Sequence, residues 1–209
     1  MTQRKHHGKG KIVSRDPARS QERILAAAQA EFSAKGLAGA RVDAIARRAG
    51  INKRMLYHYF GNKAGLFSAV LRHKVAQREA LLASAPDDPV ETLGYWFEAG
   101  CRDRDWFRLL GWEALQYAGH KLVHENRRCA VSQQATKQVR RRQAIGFLPA
   151  DLDPRHLLLT MMAITAYPLV LPQITRLVTG RSAFSREFQQ ERKQFLKKFA
   201  KLLHGARRV

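Results

Sequence analysis

The sequence predicts an all-α chain: a small N-terminal three-helix domain containing a helix-turn-helix, joined by one long helix to a larger helical domain. Three observations carry this. Apolar residues recur at i, i+3, i+4 and i+7 in segment after segment, the period of a helix with one buried face. Two short helical patterns meet at Gly50 within Val42 to Lys63, VDAIARRAGINKRMLYHYFGNK, as two helices joined by a tight turn do. An unbroken pattern also runs from Asn62 toward Ser84 and stops only at the breaker Pro86-Asp87-Asp88-Pro89,. A chain of 209 residues is long enough for two such units, each burying a core,.

Residues 1–19 are rich in Lys, Arg, His, Gly and Ser and have no periodicity. They read as a disordered basic arm, either a solvated tail or one that follows a DNA backbone or enters the minor groove. His6 and His7 would bind metal only adventitiously. Ser20 is placed as the cap of the first helix, with Ile24, Ala27, Ala28 and Phe32 as its apolar stripe and Lys35-Gly36 as its end,. In the next helix Val42, Ile45, Ala46 and Ala49 face inward, and Arg47 and Arg48 face outward. Gly50 can take the left-handed conformation that closes a helix, and Ile51 can turn back to seal the corner. Asn52 then caps a second short helix, about Lys53 to His58, with Leu56 anchored in the core,.

The first turn of that second helix, Lys53-Arg54-Met55, holds no acid to complement the helix dipole. Phosphates at the N-terminus of a recognition helix lying in a DNA major groove would supply the missing negative charge. Tyr57-His58-Tyr59-Phe60 adds two phenols and an imidazole suited to gripping phosphates at the groove rim,. Asn62 caps the long helix, and Lys63 in its first turn is placed to touch the same backbone.

Beyond the breaker, Asp88-Pro89 opens a helix carrying Leu93, Trp96, Phe97 and Gly100 at helical spacing,. Trp106 to Tyr117 is aromatic and apolar nearly all round, which predicts burial on several sides. A plain structural core and the wall of an apolar ligand cavity both fit it. Glu125 to Gly146 is polar, and its cluster Lys137, Arg140, Arg141 and Arg142 reads as a solvated face. Asp153-Pro154 starts a further helix, interrupted at Pro168 and Pro172 and resuming to Gly180,. The last helix, about Phe184 to His204, carries Phe188, Phe195, Phe199 and Leu202 among Arg192, Lys193, Lys197 and Lys201.

The formal net charge of +21, with a pI near 10.9, makes nucleic acid or an anionic membrane surface the first partners to consider,. Up to Gly65 there are 14 basic residues against 4 acidic ones, a net +10 that leaves +11 for the remainder. The excess is therefore spread over both domains, and non-specific DNA binding should be strong at low salt. Cys101 and Cys129 are the only cysteines, without metal-site spacing, which suits a reduced, cytoplasmic setting,. No signal-peptide pattern opens the chain. The longest nearly apolar run, Leu157 to Pro172, is too short to cross a bilayer, so a buried helix and no membrane partner are expected,. The sequence has no G-x-S-x-G elbow, phosphate-binding glycine loop or H-E-x-x-H,. No catalytic residue, cofactor or metal is expected, and Cys101 and His120 read as a core cysteine and a surface histidine.

From about Ala18 to Arg78 the chain resembles the DNA-binding domain of the TetR family of bacterial regulators. ILAAAQAEFSAKG (Ile24 to Gly36), IARRAGINK (Ile45 to Lys53) and LYHYFGNKAGLF (Leu56 to Phe67) stand in the family's order and spacing. One departure is Arg41, where many members have a Thr or Ser that caps the helix. Arginine cannot accept, yet it can reach a phosphate as a charged donor. With the basic arm bounded at 1–17, the resemblance implies a helix-turn-helix domain over 18–78 and a ligand-binding and dimerisation domain over 79–209. It implies DNA contacts from Arg41, Asn52, Lys53, Arg54, Tyr57, Tyr59 and Lys63 to a pseudo-palindromic double-stranded operator. It also implies a homodimer through Leu157 to Val178 and Phe184 to His204, and repression set by a small-molecule effector. An apolar or aromatic ligand, with a negative group tolerated, is expected among Trp96, Trp106, Phe107, Trp112, Tyr117, Met162 and Tyr167. Two other readings remain: a ligand-independent, weakly specific architectural DNA-binding protein, and a membrane-surface role for the basic last helix.

Overall fold

A computed structural model of the chain describes residues 17–116, 119 and 122–205. The basic arm lies outside them, as do Tyr117 and His120. All ten elements among the described residues are α-helices.

Helix α1 (Pro17–Gly39) starts on a proline, whose fixed φ suits the first helical position, so Ser20 is a buried residue within the helix and not its cap,. Gly36 breaks the helix with φ 68 and ψ 179, and the chain then makes one more turn to Gly39. Helices α2 (Val42–Ala49) and α3 (Lys53–Phe60) follow. Between them Gly50 is left-handed (φ 64, ψ 40), and Ile51 N–H reaches the Ala46 carbonyl at 3.1 Å, closing α2 as the glycine predicted,. Ile24, Phe32, Ile45, Leu56, Leu66 and Phe67 form the first core, with Phe32 and Phe67 edge to face at 5.1 Å,.

Helix α4 (Lys63–Ala83) belongs to both halves of the molecule. Its first half buries Leu66, Phe67, Val70 and Leu71 in the first core, and its second half reaches a partly open cavity through Val75, Arg78 and Leu82. The expected division at residue 78 therefore falls inside a continuous helix. Helices α5 (Pro89–Arg102), α6 (Arg104–Gln116), α7 (Glu125–Ala144) and α8 (Pro154–Val170) surround that cavity. The acid-proline starts behave as the sequence predicts: Asp88 accepts from Val90 N–H at 2.8 Å and Asp153 from Arg155 N–H at 2.7 Å,. Leu93, Phe97, Val139, Leu157, Phe188 and Leu196 make the second core.

The long apolar run does not make a fully buried helix. Helix α8 buries Leu157, Met161, Thr165, Pro168 and Leu169 on one face and exposes Leu159, Met162, Tyr167 and Val170 on the other. After Val170 the chain bends by 87° into α9 (Pro172–Thr179), and among the described residues no single helix is long and apolar enough to cross a membrane. Pro168 has no N–H to offer the carbonyl four residues back, that of Ile164. Arg192 of α10 (Arg186–Gly205) donates to that carbonyl instead, at 2.7 Å. Its side chain also lies over the Phe195 ring at 4.9 Å, so this cation of the last helix serves as a structural staple,.

Candidate nucleic-acid interface and internal cavity

Three glycines and two asparagines set the geometry of the helix-turn-helix. Asn52 accepts from Met55 N–H at 2.8 Å to start α3, and Asn62 accepts from Gly65 N–H at 2.8 Å to start α4,. Gly61, at φ 72, turns the chain between them and returns its N–H to the Tyr57 carbonyl at 2.8 Å. A Cβ at Gly65 would collide with the Phe60 carbonyl oxygen, so only glycine lets α4 begin this close to the end of α3,.

Helix α3 buries Leu56 alone and presents Asn52, Lys53, Arg54, Tyr57 and His58 to solvent. Arg54 has no side-chain partner among the described residues, so its planar five-donor fork is available. Lys53 has one: Asp43 of α2 holds its ammonium at 3.0 Å and raises its pKa above the ordinary lysine value. The acid missing from the first turn of α3 is thus supplied by the neighbouring helix. A phosphate would have to compete with Asp43 for Lys53. Tyr57 is exposed, whereas Tyr59 is half-buried against the first core with its ring edge to face with His58 and Phe60.

Arg41 is exposed and, as its chemistry requires, makes no side-chain cap for α2. The carboxylate of Glu31 instead fixes the chain at the start of α2, accepting from Arg41 N–H at 3.2 Å. Its bond to Lys35 at 2.8 Å and this backbone bond hold the Glu31 carboxyl below the usual range, against the opposing effect of burial,. No local motif announces Glu31, because it lies ten residues before the Arg41 N–H from which it accepts. Lys63 donates to the Ala38 and Ala40 carbonyls at 3.1 and 3.3 Å. It is therefore a tie between α4 and the end of α1, with one ammonium donor left for a phosphate.

The cavity has a volume of about 330 Å³, within the usual span of small-molecule sites,. Of the residues expected there, Trp96, Trp106, Phe107 and Met162 line it. Trp112 and Tyr167 do not, and Tyr117 lies outside the described residues. Helical geometry explains both corrections. On α6, Trp106, Phe107 and Leu110 face the cavity. Asp105, Leu109 and Trp112, at i, i+4 and i+7, face α1, where Asp105 accepts from Gln29 at 2.8 Å and Leu109 joins the first core,. Met161, Met162, Thr165 and Ala166 line the cavity from α8. Tyr167, one position further, is turned to the surface and is 50% exposed.

Helix α6 is therefore not buried all round as its composition suggested. It is half-buried between the cavity and α1, and Leu109 alone is fully enclosed. Contacts at long range that the sequence did not announce tie this half of the molecule to α4. His124, left-handed at φ 55, sets its ring Nε2 3.0 Å from both the carbonyl and the hydroxyl of Ser68. Lys74, only 5% exposed, pairs with Asp103 at 2.7 Å.

Comparisons with known proteins agree with this geometry. Residues 24–70 match the family described as bacterial regulatory proteins, tetR family, and residues 89–201 match the tetracyclin repressor-like C-terminal domain. The chain is 33% identical over 169 residues to the HTH-type transcriptional repressor SCO4008 of Streptomyces coelicolor, covering 81% of this chain and 88% of that protein. It is 32% identical to the HTH-type transcriptional repressor NicS of Pseudomonas putida, over 70% of this chain and 74% of that one. Among solved structures, the transcriptional regulator SCO4942 from Streptomyces coelicolor superposes with a TM-score of 0.73 at 27% identity, covering 88% of this chain and 97% of the other. An N-terminal helix-turn-helix with a free arginine on its second helix, a helical second half and full-length relatives of the same organisation lead to one assignment: the chain belongs to the TetR family of DNA-binding transcriptional regulators.

Proposed function

We propose that the protein is a homodimeric repressor whose operator affinity is set by a small molecule in the cavity. Residues 18–78 are the operator-reading unit and residues 79–209 the ligand-binding and dimerisation unit, acting in the cytoplasm. Arg54, with Lys53 and Tyr57, enters the major groove, while Arg41, Asn52, Tyr59 and the remaining donor of Lys63 hold the phosphate backbone. Tyr59 contributes only its hydroxyl edge, since its ring packs on the core.

One observation carries the ligand control: the same two helices wall the cavity and hold the helix-turn-helix. Helix α4 runs without a break from Lys63 to Arg78 and Leu82, and α6 presents Trp106 and Phe107 to the cavity while Trp112 and Asp105 grip α1. A ligand that prefers one arrangement of α4 and α6 thereby biases the position of α3. Two recognition helices reach successive major grooves only about 34–36 Å apart, so a few ångströms of displacement spoil the fit. A preference of about 2.7 kcal/mol shifts the equilibrium roughly a hundredfold.

The dimer reading is supported by exposed apolar surface on two neighbouring elements. Leu159, Tyr167 and Val170 on α8 and Phe195 and Leu202 on α10 form rows that a second copy can cover,. Selection of bound duplexes from random DNA by the full chain tests the whole reading. A pseudo-palindromic consensus is the expected result. Recovery of unrelated sequences with a steep salt dependence would support the architectural alternative, which the charge of +21 keeps in play,.

A further inference from the structure

The cavity has an unbalanced wall. Three arginines, Arg78, Arg128 and Arg142, line it, and no aspartate or glutamate does so among the described residues. Arg128 is neutralised by Glu113, whose two oxygens it meets at 2.8 and 2.7 Å. Arg142 donates to the Asp87 and Pro86 carbonyls at 3.1 and 2.7 Å, two bonds that turn its guanidinium toward the backbone before α5.

Arg78 differs from both. Its contact with Asp103 is 3.5 Å long, and that carboxylate is already bonded to Lys74 at 2.7 Å. One carboxylate thus serves two cations whose side chains are 5% and 13% exposed. Burial pulls the Arg78 guanidinium pKa down, yet arginine keeps its proton in proteins,. An under-paired charge held this way is costly unless an anion joins it. The guanidinium is also fixed in orientation, lying over the rings of Trp106 at 5.3 Å and Phe107 at 5.9 Å,.

Building on the cavity reading above, we infer that the ligand is an amphipathic carboxylate whose anionic end is seated on Arg78 and whose compact aromatic or alicyclic body packs among Trp96, Leu110 and Met162. The planar fork of arginine matches two carboxylate oxygens. With Arg128 already paired to Glu113 and Arg142 bonded to backbone carbonyls, one loosely paired arginine suits a monoanion better than a phosphate, whose higher charge would need several donors,. The seat also places the ligand's charge on α4. Drawing Arg78 away from its long contact with Asp103 acts directly on the helix that begins at Lys63 beside α3.

Isothermal titration of the full chain with matched compounds tests this: 1-naphthoate, the neutral 1-naphthamide and the cationic 1-naphthylmethylammonium, with phenyl and cyclohexyl counterparts. The acid should bind roughly ten- to a hundredfold more tightly than its amide, the usual worth of a hydrogen bond to a charged group. The ammonium compound should show no heat of binding. Arg78→Met should bring the acid down to the affinity of the amide without weakening the amide, and Arg78→Lys should keep part of the gap. Because the three-way comparison in the wild-type chain needs no variant, it decides the matter even if Arg78→Met fails to fold. Equal binding of acid and amide, or tighter binding of the ammonium compound, overturns the carboxylate seat and leaves the cavity as a ligand site. Absence of binding across every body and charge overturns both readings.

Discussion

The indole Nε1 of Trp112 donates to the carbonyl oxygen of Ser33 at 3.1 Å, joining residues 79 positions apart. A helix broken at Gly36 leaves carbonyls of its last turn without intrahelical donors, and Trp112 fills one of them,. A Cβ at Gly36 would stand 2.8 Å from the indole Cδ2, so the kink and the aromatic ring require each other. The bond fastens α6, a wall of the cavity, to α1, the helix that packs the helix-turn-helix.

Trp112→Phe keeps an aromatic ring, smaller than the indole, and removes the donor, leaving the Ser33 carbonyl unsatisfied. Stability should fall by about 1–3 kcal/mol, read as a lower urea midpoint with an unchanged slope. Calorimetric affinity for a cavity ligand should stay as it is, because Trp112 is not among the lining residues. Trp106→Ala should do the reverse, weakening the ligand more than the fold.

Arg54 and Lys63 should separate in a second way. Arg54→Ala should leave thermal stability unchanged and cost about 1–3 kcal/mol of discrimination at one operator position. Lys63→Ala removes two bonds to the Ala38 and Ala40 carbonyls, so it should lower stability by about 1 kcal/mol and weaken all DNA sequences alike,. Base-resolved titrations together with melting curves distinguish the two. Lost specificity in the Lys63 variant with none lost in the Arg54 variant would reverse the assignment.

Helix starts and stops were legible in the sequence because their causes are local. Asn52, Asn62, Asp88 and Asp153 cap where the residue type demands, and Gly50 turns where only glycine is unstrained. The first start was misread because Pro17 opens α1 and carries it past Ser20. Four of the seven residues expected at the cavity line it, since aromatic density announces apolar burial. What that density cannot announce is which face of α6 meets which neighbour, and so Trp112 and Trp106 looked alike in sequence. The partners of Lys53, Arg41, Arg78 and Ile164 all come from distant parts of the chain, and no periodicity encodes such pairings.

Phe195 is 52% exposed on α10, stacked with Phe199 at 6.2 Å, on the face proposed for dimerisation. Phe195→Glu should bury no new charge in the monomer and should place two carboxylates at the two-fold interface. Sedimentation at micromolar concentration should show a dimer for the parent chain and a monomer for the variant, with operator binding lost in step. A parent chain that sediments as a monomer would remove the basis for reading two half-sites.

Cys101 is half-buried, and burial pushes its thiol up to about 11. At pH 8 the exposed Cys129 should be alkylated rapidly and Cys101 slowly,. The raised value also fixes the sign of a stability change. Protonated Cys101 favours the folded state fully below the ordinary thiol value of about 8.5, and that advantage is lost as pH rises toward about 11,. Denaturation of Cys101→Ala beside the parent chain across that range should show a shallower decline in the variant.

If the cavity is the effector site, its occupancy controls the grip of α3 on DNA. Fluorescence anisotropy with a labelled, selected operator measures it directly in the full chain, with and without a saturating compound that calorimetry shows to be bound. Saturation should cost at least tenfold in operator affinity, about 1.4 kcal/mol of coupling. Leu110→Trp, which fills the cavity, should make operator affinity indifferent to the compound. An operator affinity that is the same with the cavity full and empty would contradict this control.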